Sequence, residues 1–260
     1  MKFLIFFFCV LNIWCFGQKE IKLDSTKIKS SNTIYFDDYD NIYLYQQDNL
    51  SLTKYNSSSK QIAQKMLPRP FRMQAINNPL NIVFFSENTQ EIKLSDANLN
   101  DIQNINLPQN FGFIKSAFVE DLQTLWLLDD STKKLIQYNY RTGKTINSFP
   151  YHINMEDIID FLVYENKVYL LKKNNFEVLN FRGDILFKTN LHNPRFLKRE
   201  NDRILIFSKT EMLEFSNKQN LKKFNFGEDS QIVDKNQSGF LVRSQNKLYL
   251  YQPESKNAHP

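Results

Sequence analysis

Cysteine is almost absent from this sequence, and its two cysteines, Cys9 and Cys15, lie close to the start. They fall within an apolar stretch that follows a single lysine and ends in the small pair Cys15 and Gly17. This arrangement is typical of a secretory signal peptide. We therefore expect residues 1–17 to be removed and residues 18–260 to form one domain. That domain would contain no disulfide although its compartment is oxidising, so its stability must come from packing.

The chain also lacks a hydrophobic run long enough to cross a membrane. The apolar core from Phe3 through Trp14 is shorter than the roughly 20 residues that a spanning helix needs. Cys15 follows a tryptophan, whereas an acylated cysteine follows small residues. We expect an exported chain with no transmembrane segment, located in the periplasm or peripherally at the outer membrane.

Histidine and glycine are scarce, with three and six residues respectively. His152, His192 and His259 are too few and too scattered for a zinc cluster. The sequence has no glycine-rich phosphate loop, no cysteine nucleophile after the leader and no serine in a nucleophile-elbow pattern. We expect no metal, no cofactor and no catalytic residue, and hence a protein that is not an enzyme.

Charge of one sign is only slightly in excess, because the formal net charge is +5. The basic pairs Lys133-Lys134, Lys172-Lys173 and Lys222-Lys223 are dispersed and outline no single groove. A nucleic-acid-binding surface usually shows a clustered basic stripe. Together with export, this distribution excludes nucleic acid from the partners that we expect.

What the sequence does contain is a repeated apolar pattern. Hydrophobic residues make up 42% of the chain and aromatic residues 14%, which is ample for a sizeable core. Six short apolar runs, most of them preceded by turn-forming residues, begin 36 to 43 residues apart, in the range of one propeller blade. The runs are Ile42-Tyr43-Leu44-Tyr45, Ile82-Val83-Phe84-Phe85, Leu125-Trp126-Leu127-Leu128, Val168-Tyr169-Leu170-Leu171, Ile204-Leu205-Ile206-Phe207 and Phe240-Leu241-Val242.

The runs are continuous rather than alternating, which predicts strands buried on both faces. Stacked blades of a propeller bury their central strands in this way. A second strand follows each run, in most units ending at an aromatic residue such as Tyr55 or Tyr138, and turn residues then lead to an outer strand. The predicted fold is an all-β, six-bladed β-propeller with four-stranded antiparallel blades.

The two ends of the chain are predicted to complete each other. The sixth unit stops soon after Tyr251, where Pro253 and a polar tail replace the expected outer strand. At the other end, the alternating segment from Glu20 to Asp24 belongs to no blade. Pairing this segment with the sixth blade would close the ring and remove two exposed edges.

Acidic residues cluster in four places, which raises the question of a metal site or an acid–base pair. Converging carboxylates bind hard cations such as Ca²⁺ and shift each other's pKa. Acidic residues are equally common in hairpin turns, and we favour that interpretation. The clusters are Asp37-Asp38-Asp40, Glu120-Asp121, Asp129-Asp130 and Glu156-Asp157-Asp160.

Two similar basic segments open the second and fifth blades. The first contains Arg69 and Arg72, and the second contains Arg195, Lys198 and Arg199. In a six-membered ring these blades face each other, so both segments should approach one mouth of the channel. Arginine offers bidentate geometry to carboxylates, and we expect these five residues to bind an acidic loop of a partner or an anionic small molecule.

The leader and the composition resemble exported proteins of flavobacteria. The leader is rich in phenylalanine and ends in Phe16-Gly17-Gln18, and Asp24-Ser25-Thr26 and Asp130-Ser131-Thr132 resemble the short O-glycosylation motif of Bacteroidota. In fold, size and export the chain is similar to soluble propeller accessories of outer-membrane assembly, or to a plug-like subunit of the type IX secretion translocon. The resemblance implies a non-catalytic scaffold that binds a protein partner in an envelope complex.

Two other functions remain open at this level. A six-bladed lactonase-like or lyase-like enzyme would hold a metal at the channel mouth, and bound calcium in the purified protein would identify it. A carbohydrate-binding propeller would use exposed aromatic residues.

The single tryptophan that remains after removal of residues 1–17 gives a first test. Trp126 lies within a continuous apolar run of the third unit, so its indole should be buried and its emission blue-shifted. Fluorescence of a variant that begins at Gln18 measures this directly. An emission maximum equal to that of free indole in water would contradict the blade register.

Overall fold

The computed structural model describes residues 16–23, 28–29, 32–107, 111–216 and 220–253. Within these ranges every regular element is a β-strand, and the strands form six four-stranded antiparallel sheets. Each sheet is one blade of a propeller, which confirms the predicted fold class. The described part of the chain contains no helix whose length and apolarity would let it cross a bilayer.

Each blade has an inner, a second, a third and an outer strand, which we number in chain order. The inner strands, which face the central channel, are β2 (Thr33–Phe36), β6 (Arg72–Met73), β10 (Ile114–Val119), β14 (Ile158–Tyr164), β18 (Pro194–Glu200) and β22 (Ser230–Lys235). The second strands are β3 (Ile42–Gln46), β7 (Ile82–Ser86), β11 (Thr124–Asp129), β15 (Lys167–Lys172), β19 (Arg203–Ser208) and β23 (Phe240–Ser244). The third strands are β4 (Ser51–Tyr55), β8 (Glu91–Ser95), β12 (Lys134–Asn139), β16 (Asn175–Leu179), β20 (Met212–Ser216) and β24 (Lys247–Pro253). The outer strands are β5 (Gln61–Met66), β9 (Asp101–Asn106), β13 (Lys144–Pro150), β17 (Ile185–Asn190), β21 (Leu221–Phe224) and β1 (Phe16–Ile21).

All six predicted apolar runs form the second strands of the blades. Their burial on both faces follows from the alternation of side chains along a strand. In β11, Leu125 and Leu127 pack in the core between the second and third blades. Trp126 and Leu128 point the other way, into the core between the third and fourth blades. A continuous hydrophobic run therefore places side chains in two cores, one on each side of its blade.

Trp126 is buried as expected and lies on the second strand of the third blade, with 4% of its surface exposed. Its indole Nε1 donates a hydrogen bond of 2.8 Å to Glu120 Oε2. The ring packs against Phe149 and Phe181, with centroid distances of 6.5 and 5.1 Å.

The N-terminal strand closes the ring, as predicted, but it lies earlier in the sequence than expected. The prediction was residues 20–24, whereas β1 runs from Phe16 to Ile21 and pairs antiparallel with β24. Two causes set these bounds: β24 continues to Pro253, and the backbone N–H of Leu23 turns back to donate to the Ile21 carbonyl at 2.9 Å. Residues 1–15 of the predicted leader lie outside the described residues, and its last two, Phe16 and Gly17, pair with Pro253 and Gln252 at the start of β1. The leader and its boundary at Gln18 stay predictions.

The closing strand is held by a core as well as by its hydrogen bonds. Ile21 is buried in a cluster that includes Leu248 and Leu250 of its own blade and Ile34 and Ile42 of the first blade. This cluster joins both ends of the chain across one blade interface.

Replacing Ile21 by alanine should destabilise the protein by about 2 to 5 kcal/mol, because a buried aliphatic side chain is removed. Deleting residues 18–23 should lower the melting temperature further and promote association through the exposed edge of β24. Calorimetry and size-exclusion chromatography measure both effects.

Lys19→Ala is the matched control, because Lys19 lies exposed on the same strand. It should change the stability by no more than about 0.5 kcal/mol. Equal melting temperatures for the deletion variant and the parent would show that β1 does not close the ring.

Candidate functional site

The inner strands are sheet edges, and each leaves backbone groups without a strand partner on the channel side. Side chains of three alternate blades supply partners for these groups. Gln74 bonds both the N–H and the C=O of Val119, at 2.9 Å each. Asp160 accepts from Leu197 N at 2.9 Å, and Asp234 accepts from Phe36 N at 2.6 Å. Blades two and three, four and five, and six and one are thereby joined at the channel.

Four of the inner strands contain a register irregularity that exposes further backbone groups. The pairing passes over Lys115, Ile159, Arg195 and Val233, in β10, β14, β18 and β22 respectively. Such bulges interrupt the ladder and redirect side chains.

Arginine side chains satisfy carbonyl groups at these irregularities. Arg72 donates to Ile159 O and to Ser116 Oγ, which links the second blade to the third and fourth. Arg195 donates to Ser208 O at 2.9 Å and to Ile232 O at 2.5 Å.

Two carboxyl groups lie among these contacts, the half-buried Asp160 and the buried Asp234. Burial raises the pKa of Asp160, and the nearby Arg72 opposes that shift. Burial likewise raises the pKa of Asp234, opposed chiefly by Lys198, whose Nζ lies 3.0 Å from Asp234 Oδ1. Each carboxyl group accepts one backbone N–H of its own strand and one of the next blade, so both act as structural links between blades.

The acidic clusters around Asp37 and Asp121 form turns, as favoured from the sequence, whereas Asp160 of the fourth cluster lies in β14. Asp37 accepts from Tyr39 N, Asn41 N and Tyr43 Oη at 2.8 to 2.9 Å. Asp121 accepts from two backbone N–H groups at 2.7 Å each. Among the described residues no group of three or more His, Cys, Asp or Glu side chains is placed to hold a metal.

A cavity of about 610 Å³ lies at one mouth of the channel. Its lining comes from the beginnings of inner strands, such as Thr33 and Arg72, and from the ends of second strands, such as Tyr45 and Phe85. We call this end of the ring the cavity face and the other end the opposite face. Gln47 and Asn88 are exposed at the cavity rim, so the cavity reaches solvent.

The structure divides the five predicted partner-binding residues. Arg72 and Arg195 line the cavity, and Arg69 is exposed just before β6 on the same face. Lys198 is instead buried, with 3% of its side chain exposed, and donates to Phe36 O at 2.7 Å as well as pairing with Asp234. Arg199 lies near the end of β18, on the opposite face, over the ring of Tyr164 at 4.5 Å. The seven-residue length of β18 explains the division, because it carries the segment from one mouth to the other.

Sequence reasoning missed Arg243, which also lines the cavity. Its guanidinium group donates to Lys29 O at 2.6 Å and to Gln231 Oε1. A signal was available: the sixth apolar run has three residues, and Arg243 occupies its fourth place, where other runs have Tyr45 or Phe85. Those two positions line the cavity as well.

Comparisons with known proteins reveal the fold and no family. No family model matches the chain, and no curated protein matches it. Virginiamycin B lyase from Staphylococcus aureus aligns with a TM-score of 0.55 at 9% identity, over 92% of this chain and 99% of that one. The Pan2 WD40 domain from Neurospora crassa aligns with a TM-score of 0.52 at 9% identity, over 86% and 89%.

BamB from Moraxella catarrhalis aligns less well, with a TM-score of 0.44 at 10% identity, over 84% of each chain. A score of this size carries no functional argument. The similarity of all three proteins extends to the propeller fold alone, and one fold serves many functions.

Lys198→Met should make stability strongly dependent on pH. The variant leaves the Asp234 carboxylate buried without its ammonium partner, so its pKa, already raised above 3.8, should rise further. The folded state then binds more protons than the unfolded state, so the contribution of Asp234 to stability is greatest below about pH 4 and is lost as pH rises through the folded pKa. At pH 7 we expect a loss of about 3 to 5 kcal/mol, measured by urea unfolding from pH 4 to 8.

Adding Asp234→Asn to this variant should flatten the pH profile, because the buried charge is removed. Lys173→Met is the control, since it removes an exposed lysine from a surface ion pair with Asp157. An equal loss of unfolding free energy for Lys198→Met at pH 4 and pH 7 would mean that removing the charge of Lys198 does not shift the pKa of Asp234.

Proposed function

We propose that this protein is a non-catalytic β-propeller scaffold that binds a protein partner in the cell envelope, through its cavity face. The observation that supports this proposal is the use of the channel's polar side chains. Asp160, Asp234, Gln74 and Lys198 all bond to neighbouring blades, so the groups best suited to acid–base chemistry are occupied in holding the ring together.

The cavity face offers a rigid surface for such a partner. Exposed residues of the rim, including Arg69 and Pro70, adjoin inner strands that are fixed by inter-blade hydrogen bonds. A surface that is already ordered loses little conformational freedom on binding. Arg69 is exposed, and its charge is available to an acidic partner.

The periplasm or the periphery of the outer membrane is the proposed location, and the predicted leader supports it. Within that location, the partner that we propose is a subunit of an outer-membrane assembly or protein-secretion complex. This finer proposal rests on the resemblance in size, leader and composition.

The enzymatic alternative has less support. The fold is shared with a lyase, but at 9% identity this similarity transfers no active site. No metal-holding cluster occurs within the ranges that the structure describes. Stoichiometric calcium in metal analysis of the purified protein would revive this alternative.

Site-specific photocrosslinking in the producing cells tests the scaffold function. A photoreactive amino acid at Arg69 should crosslink one envelope protein, because this position is exposed on the cavity face. The same amino acid at Arg182, in the turn after β16 on the opposite face, should not. Mass spectrometry of the crosslinked band identifies the partner.

Arg69→Glu should reduce recovery of that partner, with Arg182→Glu as the control that makes the same change of charge. Both variants should keep their stability within about 0.5 kcal/mol, since both positions are exposed. Absence of any specific crosslink from Arg69 and from neighbouring rim positions would overturn the proposal.

A further inference from the structure

Arginine side chains from three blades converge on the channel-mouth cavity. Arg72 comes from the second blade, Arg195 from the fifth and Arg243 from the sixth. Within the described residues neither Arg72 nor Arg195 forms an ion pair, since the groups that they contact are carbonyl and hydroxyl oxygens. Their positive charges are therefore not neutralised by a carboxylate in direct contact.

The guanidinium groups are held in place before any ligand arrives. Arg72 packs over the ring of Phe85 at 5.5 Å, and Arg195 over the ring of Phe196 at 5.3 Å. Each also has two hydrogen bonds to fixed protein atoms. A guanidinium group has five N–H donors, so donors remain on both side chains. Such preorganised donors bind an anion with little further cost in ordering.

Electrostatics within the cavity favours an added negative charge. Burial, together with the nearby charge of Arg243, lowers the pKa of Arg195 to about 10, and the charge of Asp234 only partly opposes this shift. Arg195 remains protonated at neutral pH, and the two like charges repel each other. An anion between them would relieve this repulsion and replace the water lost on burial.

The acidic residues of the cavity wall do not remove the positive field. Glu87 pairs with Lys115 at 2.8 Å, so that pair is neutral overall. Asp160 is half-buried, and it accepts hydrogen bonds from Leu197 N and Phe161 N. Its single negative charge is outnumbered by the positive charges of Arg72 and Arg195.

The rest of the wall combines aromatic rings with aliphatic and uncharged polar side chains. The rings that line the cavity are Tyr35, Tyr45, Phe71, Phe85 and Phe196. A volume of about 610 Å³ falls within the range of small-molecule sites. A cavity that combines aromatic surface with arginine donors matches a ligand that combines a flat apolar group with a carboxylate.

We infer that this cavity is a binding site for a carboxylate attached to an aromatic group, held by Arg72, Arg195 and Arg243. The carboxylate can belong to a free small molecule or to the C-terminal residue of a bound protein. The inference goes beyond the scaffold function, since a small ligand would bind without any protein partner.

Isothermal titration calorimetry with the full exported chain tests the inference. The probes are 4-phenylbutyrate and its neutral amide, which has the same shape but no charge. The acid should bind at least about tenfold more tightly than the amide, because charge-assisted hydrogen bonds form only with the acid. A peptide ending in Gly-Ser-Gly-Phe, with a free or an amidated C-terminus, tests the second source in the same way.

Arg243→Gln should weaken binding of the acid by about tenfold or more, while the amide should be little affected. Arg203→Gln is the matched control, because Arg203 is exposed at the start of β19, on the opposite face, and the charge removed is the same. Melting temperatures establish that both variants fold. The comparison of acid with amide needs no variant, so it holds even if Arg243→Gln is unstable.

The four probes distinguish a free ligand from the C-terminus of a protein. Preference for the small acid supports a site for a free ligand, and preference for the free peptide terminus alone supports a site for a protein terminus. Equal binding of acid and amide, or no binding of any probe at about 10 mM, overturns the inference. Neither result would alter the Arg69 crosslink, so the scaffold function stands or falls separately.

Discussion

The unpaired inner edges of the blades are the constraint on which the rest of this structure depends. A strand that faces the channel has N–H and C=O groups that no neighbouring strand can reach, and burying them without partners would cost stability. Gln74, Asp160 and Asp234 meet this need by bonding the inner strand of the next blade. The same contacts fix the angle between blades, so one set of side chains both satisfies the backbone hydrogen bonds and sets the geometry of the ring.

This arrangement also explains why the channel contains charged groups yet few that are free. Asp234 and Lys198 are both buried, and each bonds to backbone atoms of the first blade in addition to the other. Breaking such a pair is costly, although forming it contributes little net stability. Arg72 and Arg195 at the cavity differ, because within the described residues they donate only to carbonyl and hydroxyl oxygens. The ion pair deep in the channel is thus balanced, whereas these two arginines have no carboxylate in direct contact.

The sequence predicted the fold better than the site, for physical reasons that particular residues show. Continuous runs such as Leu125-Trp126-Leu127-Leu128 report burial on two faces, and burial is a local property of the pattern. The positions of Lys198 and Arg199 depend on the length of β18 and on its bulge. Neither property can be read from the amino-acid composition of the segment. Arg243 reaches the cavity because the sixth blade closes the ring, a contact between distant parts of the chain. The bounds of β1 depend likewise on how far β24 extends.

The pairing of β1 with β24 has a consequence for how the chain acquires its structure. Ile21 finds its partner Leu248 only after all six blades have been synthesised. The first five blades contain all their own strands and can form from nearby segments, whereas the last needs a contact of very high sequence separation, which slows folding. Until that contact forms, an open ring exposes the edge of a sheet to other chains. Folding helpers would act most usefully during this final interval.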